Sequence, residues 1–522
     1  MNDVVVIGVF LALFVIFVFL GFWASRFRRG DLSDLGEWGL AGRKLGAYLA
    51  WFLVGADLYT AYTFIAIPES VFLHGAIYYF AVPYVGIAFG VAMITMPKMW
   101  KIAKDKNYVT AVDMVHDKFN SKTLAMLIAL TGIVAELPYI ALQIYGMQAV
   151  LLVMIGQLTS YDVTLITELS LVLAFIILAA FTFTSGLRGA TITAVMKDAI
   201  ILGTVIVAII AIPIALGGFG KAISLFSSGV GVSPTSRVPF TGSGSLAPLL
   251  VNAFVSLSIM SAFALYLYPH AINGVLSIDS TKKIRQSTAL LPLYGIGLAF
   301  LALLGILIYS SPVAMAMVSK YGATTVVPSL IYAEFPDWFV GIAFLGIFIG
   351  GLVPASIMAI SQANLMVRNV LKPFWPNMDA KMEARLAKWF SVIFKFIALG
   401  FIFLISPTFA LGLQLVGGII ILQTLPSIFF PLYTDRLEKV PVGVGWAAGL
   451  VLGVYMLYEA NFVQHTSTSI TTVLFDFSTV SWVGFLYIAF VALLLNLLIS
   501  IVGSLLMGLF KSSPKGTAAK SD

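Results

Sequence analysis

Apolar runs long enough to cross a bilayer recur from one end of the chain to the other. Each needs about 20 residues at 1.5 Å of rise per residue. They fall at roughly 3–25, 46–73, 76–97, 123–155, 162–184, 189–215, 247–275, 286–310, 337–366, 386–405, 408–433, 440–460 and 481–510. The runs predict an all-α fold, a polytopic transmembrane bundle of about 13 helices, with twelve or fourteen as alternatives depending on how 123–155 and 337–366 are cut. They are continuous rather than alternating, which excludes a transmembrane barrel. With 60% hydrophobic and 10% charged residues, against about a quarter charged in soluble domains, the bilayer is the solvent. Mean hydropathy of +1.02 points the same way.

The connections carry the orientation. Of the 30 lysines and arginines, only Lys221, Arg237 and Lys320 lie in one set of alternate connections, while Lys197 and Lys395 fall inside spans. The rest, from Arg26 to Lys520, lie on the other side. That asymmetry predicts an N-terminus outside, a cytoplasmic C-terminus and an odd number of spans. The net charge of +7 is therefore a topology signal with affinity for anionic lipid, not a nucleic-acid footprint. The first run lacks a basic segment before it, unlike a cleavable signal peptide. The tail 511–522 is expected to be disordered, and the Gly- and Ser-rich outer loop near 217–246 to be flexible or folded over the outer mouth.

Chemistry is limited by what is missing. There is no cysteine and there are only 4 histidines, at 74, 116, 270 and 465, with no pair at a metal-ligand spacing. No nucleophile–base cluster stands out. An enzyme is disfavoured, no cofactor is expected, and no obligate protein partner is inferred beyond a small-molecule solute and the lipid.

Three spans carry interruptions of the kind at which transporters bind solutes and ions, because unwound backbone offers free carbonyls and amides. The second holds Gly55-Ala56-Asp57-Leu58-Tyr59-Thr60-Ala61-Tyr62-Thr63, then Pro68. The seventh, Pro248 to Pro269, holds Asn252, Ser256, Ser258 and Ser261. The ninth reads Gly350-Gly351-Leu352-Val353-Pro354-Ala355-Ser356, where Pro354 cannot donate to the Gly350 carbonyl. The first two lie five spans apart, the spacing of two inverted five-helix repeats formed by helices 2–6 and 7–11. The resulting division is 1–45 (peripheral first helix and inner loop), 46–215 (first repeat), 247–433 (second repeat) and 440–510 (peripheral last helices).

At these residues the chain resembles the sodium:solute symporter family, whose fold is the leucine-transporter type of inverted repeat. Gly55–Phe72, Ser185-Gly186-Leu187-Arg188-Gly189, Tyr268-Pro269-His270, and Ser361-Gln362-Ala363-Asn364 followed by Lys372 carry the likeness. A narrower resemblance, to the monocarboxylate permease branch, rests on Gly42-Arg43-Lys44, Trp51-Phe52-Leu53, Pro138-Tyr139-Ile140-Ala141-Leu142-Gln143 and Lys197-Asp198. It implies symport of a lactate- or pyruvate-class monocarboxylate, or a small amino acid. A sodium-coupled proline or sugar symporter is the alternative within the family. A channel and a proton-translocating membrane subunit are the alternatives outside it.

The resemblance also implies a cation site from the backbone carbonyls of Ala56, Tyr59 and Gly350 and two hydroxyls of the ninth span. Those hydroxyl positions fall on Val353 and Pro354, which have none, and Ser356 is off the matched position. Lys197 lies about nine residues into its span from Arg188, roughly 14 Å deep, beyond easy snorkelling. An ammonium can stand where Na⁺ would stand, and a buried amine can release a proton. The coupling ion is thus Na⁺ by resemblance or H⁺ through Lys197, with a structural ion pair to Asp57 or Asp198 as the plainer alternative. Asp57 is a further cation or proton candidate. Thr60, Thr63, Tyr139, Gln143 and Ser258 are the expected solute contacts. Glu136 is expected in packing or gating, with a proton site as the lesser alternative, His270 in a structural role at the cytoplasmic end of its helix, with a proton relay as the alternative, and Lys395 is expected to snorkel.

Overall fold

The computed structural model describes residues 3–26, 30–156, 162–227, 247–404, 410–463, 473–477, 479–480 and 482–512. The tail beyond 512, most of the outer loop 217–246, Arg28, Arg29, Arg237 and His465 lie outside the described residues. Ten helices are long and apolar enough to cross a membrane, and the pair Leu250–Leu265 and Pro269–Leu276, bent by 47°, forms another span. Two more occupy the second and tenth predicted positions. One is the broken helix Ala47–Gly55 and Ile67–His74, whose halves are short; the other is Ala380–Gly400, which carries several charges. Thirteen spans result among the described residues.

The second span leaves the helix after Gly55, and a π-helical turn, Tyr62–Ala66, leads into Ile67–His74. Glycine is required at 55, because a Cβ there would sit 2.4 Å from the Tyr294 hydroxyl oxygen. Pro68 begins the second half in the first helical turn, where a missing N–H costs nothing. In the seventh span the helix ends at Leu265 and resumes at Pro269. His270 therefore opens a second half-helix deep in the protein instead of closing the span, which corrects its expected place. Lying five positions apart, with four spans between them, the two broken spans run in opposite directions, as an inverted repeat requires.

The third expected interruption is absent. Asp337–Leu365 is one continuous helix through Gly350 and Pro354. Proline removes a single hydrogen bond, and this helix is almost wholly enclosed by its neighbours, so packing holds it straight. Its Gly351 lies so close to the fourth span, Lys122–Gly156, that a Cβ would meet the Gln143 carbonyl at 2.6 Å.

Short elements escaped the pattern. Helix Ala111–Phe119 carries a Thr110/Asp113 capping box. Helices Pro312–Tyr321 and Val326–Glu334 lie between the eighth and ninth spans. An antiparallel pair, Leu474–Phe477 with Gly484–Tyr487, takes residues expected in the last span, which begins at Ile488. Tyr487 ties this pair to the bundle: its N–H donates to Ser256 and its hydroxyl to the Leu415 carbonyl.

Candidate functional site

At the first break, the unwound turn after Gly55 leaves carbonyls without helical partners. Lys197, from the sixth span Leu187–Leu216, fills the gap. Its Nζ donates to the carbonyls of Ala56 and Tyr59, each at 2.9 Å, and forms a 2.8 Å ion pair with Asp198. Both side chains are completely buried. The Asp198 carboxylate accepts from the Tyr294 hydroxyl at 3.0 Å, and the Tyr294 ring meets Tyr59 edge-on at 4.7 Å. The ion-pair partner is Asp198, not Asp57. Gly350 lies near one of these carbonyls, since a Cβ there would stand 3.7 Å from the Tyr59 oxygen.

Sodium would need oxygen ligands here. The two carbonyls already hold an ammonium, and Val353 and Pro354 supply no oxygen. Ser356 faces elsewhere: its hydroxyl pairs with Thr182 of the fifth span at 2.9 Å. The residues present do not fit a sodium ion.

At the second break the polarity is reversed. The half-helix Pro269–Leu276 presents amide groups, and Glu136 of the fourth span meets them. Its Oε1 accepts from the His270 backbone N–H at 2.8 Å and lies 2.7 Å from His270 Nδ1. Ser361 of the ninth span donates to Oε2 at 2.9 Å. Glu136 and His270 are fully enclosed. Glu136, expected in packing or gating, is a carboxylate that joins three spans.

Several expected solute contacts are consumed as scaffold. Thr60 accepts from the Tyr62 N–H, Thr63 donates to the Leu58 carbonyl, and Gln143 accepts from the Ala61 N–H. Ser258 donates to the Phe254 carbonyl of its own helix. Tyr139 lies between the breaks, with ring centroids 5.3 Å from Tyr268 and 5.6 Å from His270. Among the described residues, the buried polar atoms without a hydrogen-bond partner include Asp57 Oδ1, Ser261 Oγ, His270 Nε2 and Gln414 Oε1. Tyr62 packs edge-on to Tyr84, Tyr268 donates to the Gln414 carbonyl, and Asp57 is within electrostatic reach of His270 and Lys197. Tyr62 and Ser261 lay in segments already marked as polar and interrupted. Gln414 carried no sequence signal.

Lys395 does not snorkel. It is fully buried and its Nζ has no hydrogen-bond partner among the described residues.

Comparison with known proteins identifies the family and the fold. The sodium:solute symporter family model matches residues 38–453. A monocarboxylate transport permease protein of Rhizobium johnstonii is 40% identical over 462 residues, covering 87% of this chain and 89% of the relative. An uncharacterized symporter of Bacillus subtilis, YodF, is 33% identical over 449 residues, covering 85% and 86%. Among solved structures, a Na⁺-coupled sialic acid symporter in a substrate-bound outward-open state superposes with a TM-score of 0.71 at 14% identity, over 96% of this chain and 97% of that one. Two oppositely directed broken helices inside a thirteen-span bundle and a family match over most of the length lead to one conclusion: this chain belongs to the sodium:solute symporter family, and it is a membrane transporter of small solutes rather than an enzyme.

Proposed function

We propose that this protein is a proton-coupled or sodium-independent symporter of small carboxylate-bearing solutes, with the Lys197 ammonium as a tethered substitute for the coupling cation. The observation that carries this is the pair of 2.9 Å contacts from Lys197 Nζ to the Ala56 and Tyr59 carbonyls. An ammonium on those oxygens supplies the positive charge that an ion would otherwise bring. The absent hydroxyls at Val353 and Pro354 support the same reading.

The likeness to a monocarboxylate permease supports lactate- or pyruvate-class solutes, with small amino acids as the nearest alternative. Ser261, His270 and Gln414, together with Tyr62 and Tyr139, are the groups we assign to the solute, which would satisfy the unpartnered atoms of the first three. The face rich in lysine and arginine is cytoplasmic in this reading. Residues 46–215 and 247–433 form the two repeats that exchange access to the site.

The decisive measurement is labelled lactate, pyruvate or alanine uptake into proteoliposomes, with Na⁺ replaced by choline, with and without a pH gradient. Uptake in choline that rises with an inward proton gradient is the expected result. Strict dependence on Na⁺ overturns the role of Lys197 and restores the family's sodium coupling. Countertransport of labelled solute separates a transporter from a channel.

A further inference from the structure

Beneath the second break, on the face that carries the basic connections, lies a small cavity of about 20 Å³, room for about one water molecule, lined by Thr110, Gly132, Pro269, Asn273, Ser361 and Thr424, among others. Its floor is the start of helix Ala111–Phe119. Thr110 donates to the Asn369 side chain, Asn369 donates to Asp113, and Arg368 lies 3.5 Å from Asp113. Its roof is the neighbourhood of Glu136. Ser361, part of the cavity wall, touches both carboxylate oxygens, and Gly132 lies one helical turn before Glu136 on the same span.

The Glu136–His270 pair therefore has two sides. The carboxylate approaches the cavity through Ser361. The imidazole turns Nδ1 to Glu136 and leaves Nε2, fully buried, without a hydrogen-bond partner among the described residues. The titratable groups facing the pair are Asp57 of the second span, Tyr139 of the fourth and Tyr268 of the seventh; the ninth contributes the Ser361 hydroxyl.

We propose that Glu136 and His270 form a proton-holding site that fills and empties through this cavity. The ligand is a proton, delivered by hydronium from the aqueous phase and returned there. Taken up at Glu136 Oε2, it forms one O–H bond and brings the pair from a carboxylate beside a neutral imidazole to an uncharged pair. The change reaches the backbone directly, because Oε1 also accepts from the His270 N–H. A charge-assisted hydrogen bond is about twice as strong as a neutral one. Protonation thus loosens the grip of the fourth span on the half-helix Pro269–Leu276 and frees it to move. Nothing in this inference depends on Lys197.

Proton uptake by the purified full-length protein, in choline chloride without solute or sodium, tests it. An indicator dye reports uptake between about pH 8 and pH 5 for wild type and Glu136→Gln. One more proton per chain for wild type than for the variant is expected, and equal uptake overturns the site. Glu136→Asp guards against a misfolded variant: it keeps the proton but moves the carboxylate away from His270, so its uptake midpoint shifts by at least about half a pH unit. An unmoved midpoint overturns the site as well. Thr424→Trp, which fills the cavity, slows uptake after a pH jump about tenfold or more; an unchanged rate overturns the cavity as the route.

Discussion

At the break in the second span the chain presents carbonyl oxygens, and at the break in the seventh it presents an amide. The first is the negative end of Ala47–Gly55 and the second the positive end of Pro269–Leu276. Each is met by a side chain of opposite sign from another span, Lys197 at one and Glu136 at the other. The two differ in what else they hold. Lys197 is locked by two carbonyls and Asp198, all within 2.9 Å. Glu136 shares its charge with His270, whose far nitrogen is unsatisfied, and with Ser361 at the wall of a cavity. On our proposal, one break is built to stay filled and the other to change its charge.

The largest expected effect tests the locked break. Lys197→Ala leaves two carbonyls and Asp198 unpaired in a buried site, a loss of about 3–5 kcal/mol. Melting of the detergent-solubilised protein checks this, and solute uptake in choline should fall at least about 100-fold. Adding Val353→Ser and Pro354→Ser to that variant should make the remaining uptake depend on Na⁺, because the missing oxygens are then supplied. Uptake indifferent to Na⁺ in the triple variant would remove the symmetry between ammonium and ion.

Glu136→Gln keeps the shape of the second filler and removes its charge, at an expected cost of about 1–3 kcal/mol in thermal stability. An equal loss at both breaks would erase the distinction between a locked and a switchable filler. Gly55→Ala pushes a methyl into the Tyr294 hydroxyl, which braces Asp198, and should cost about 1–3 kcal/mol. The smallest effect is expected of Lys395→Met. That lysine is as buried as Lys197 but has no hydrogen-bond partner among the described residues. Its replacement should leave melting unchanged or raised by about 1 kcal/mol, with transport retained. A loss of transport there would show that burial alone, without a helix break, can carry a function.

The spans were legible because each is a long, nearly uninterrupted apolar run, and hydropathy needs no knowledge of neighbours. The break at Gly55 was legible because glycine acts locally, whereas in the seventh span an interruption was expected but Pro269 reads as the end of the helix rather than its resumption. Pro354 misled for the same reason: the local rule predicts a break, but helix 337–365 is held by walls that the sequence does not display. Lys197 announced itself by its depth. His270 did not, since the residues beyond Pro269 look like a connection until the chain is seen to resume a helix. The solute contacts were the least legible. Hydroxyls near a break can serve the backbone or a ligand, and only the hydrogen bonds of Thr60, Thr63 and Gln143 reveal that they serve the backbone.

Covalent attachment of the positive charge has an electrical consequence. A sodium ion that rides with its solute carries charge across the membrane, and each elementary charge is driven by about 2.3 kcal/mol per 100 mV. Lys197 remains on its helix, so the voltage can pull it no further than the helix moves. On the proposed reading, with the ammonium as the only cation at that site, a monocarboxylate accompanied by one proton would cross as a neutral pair. Membrane potential would then contribute nothing to accumulation, and the proton concentration ratio alone would set how steep a solute gradient the protein could sustain.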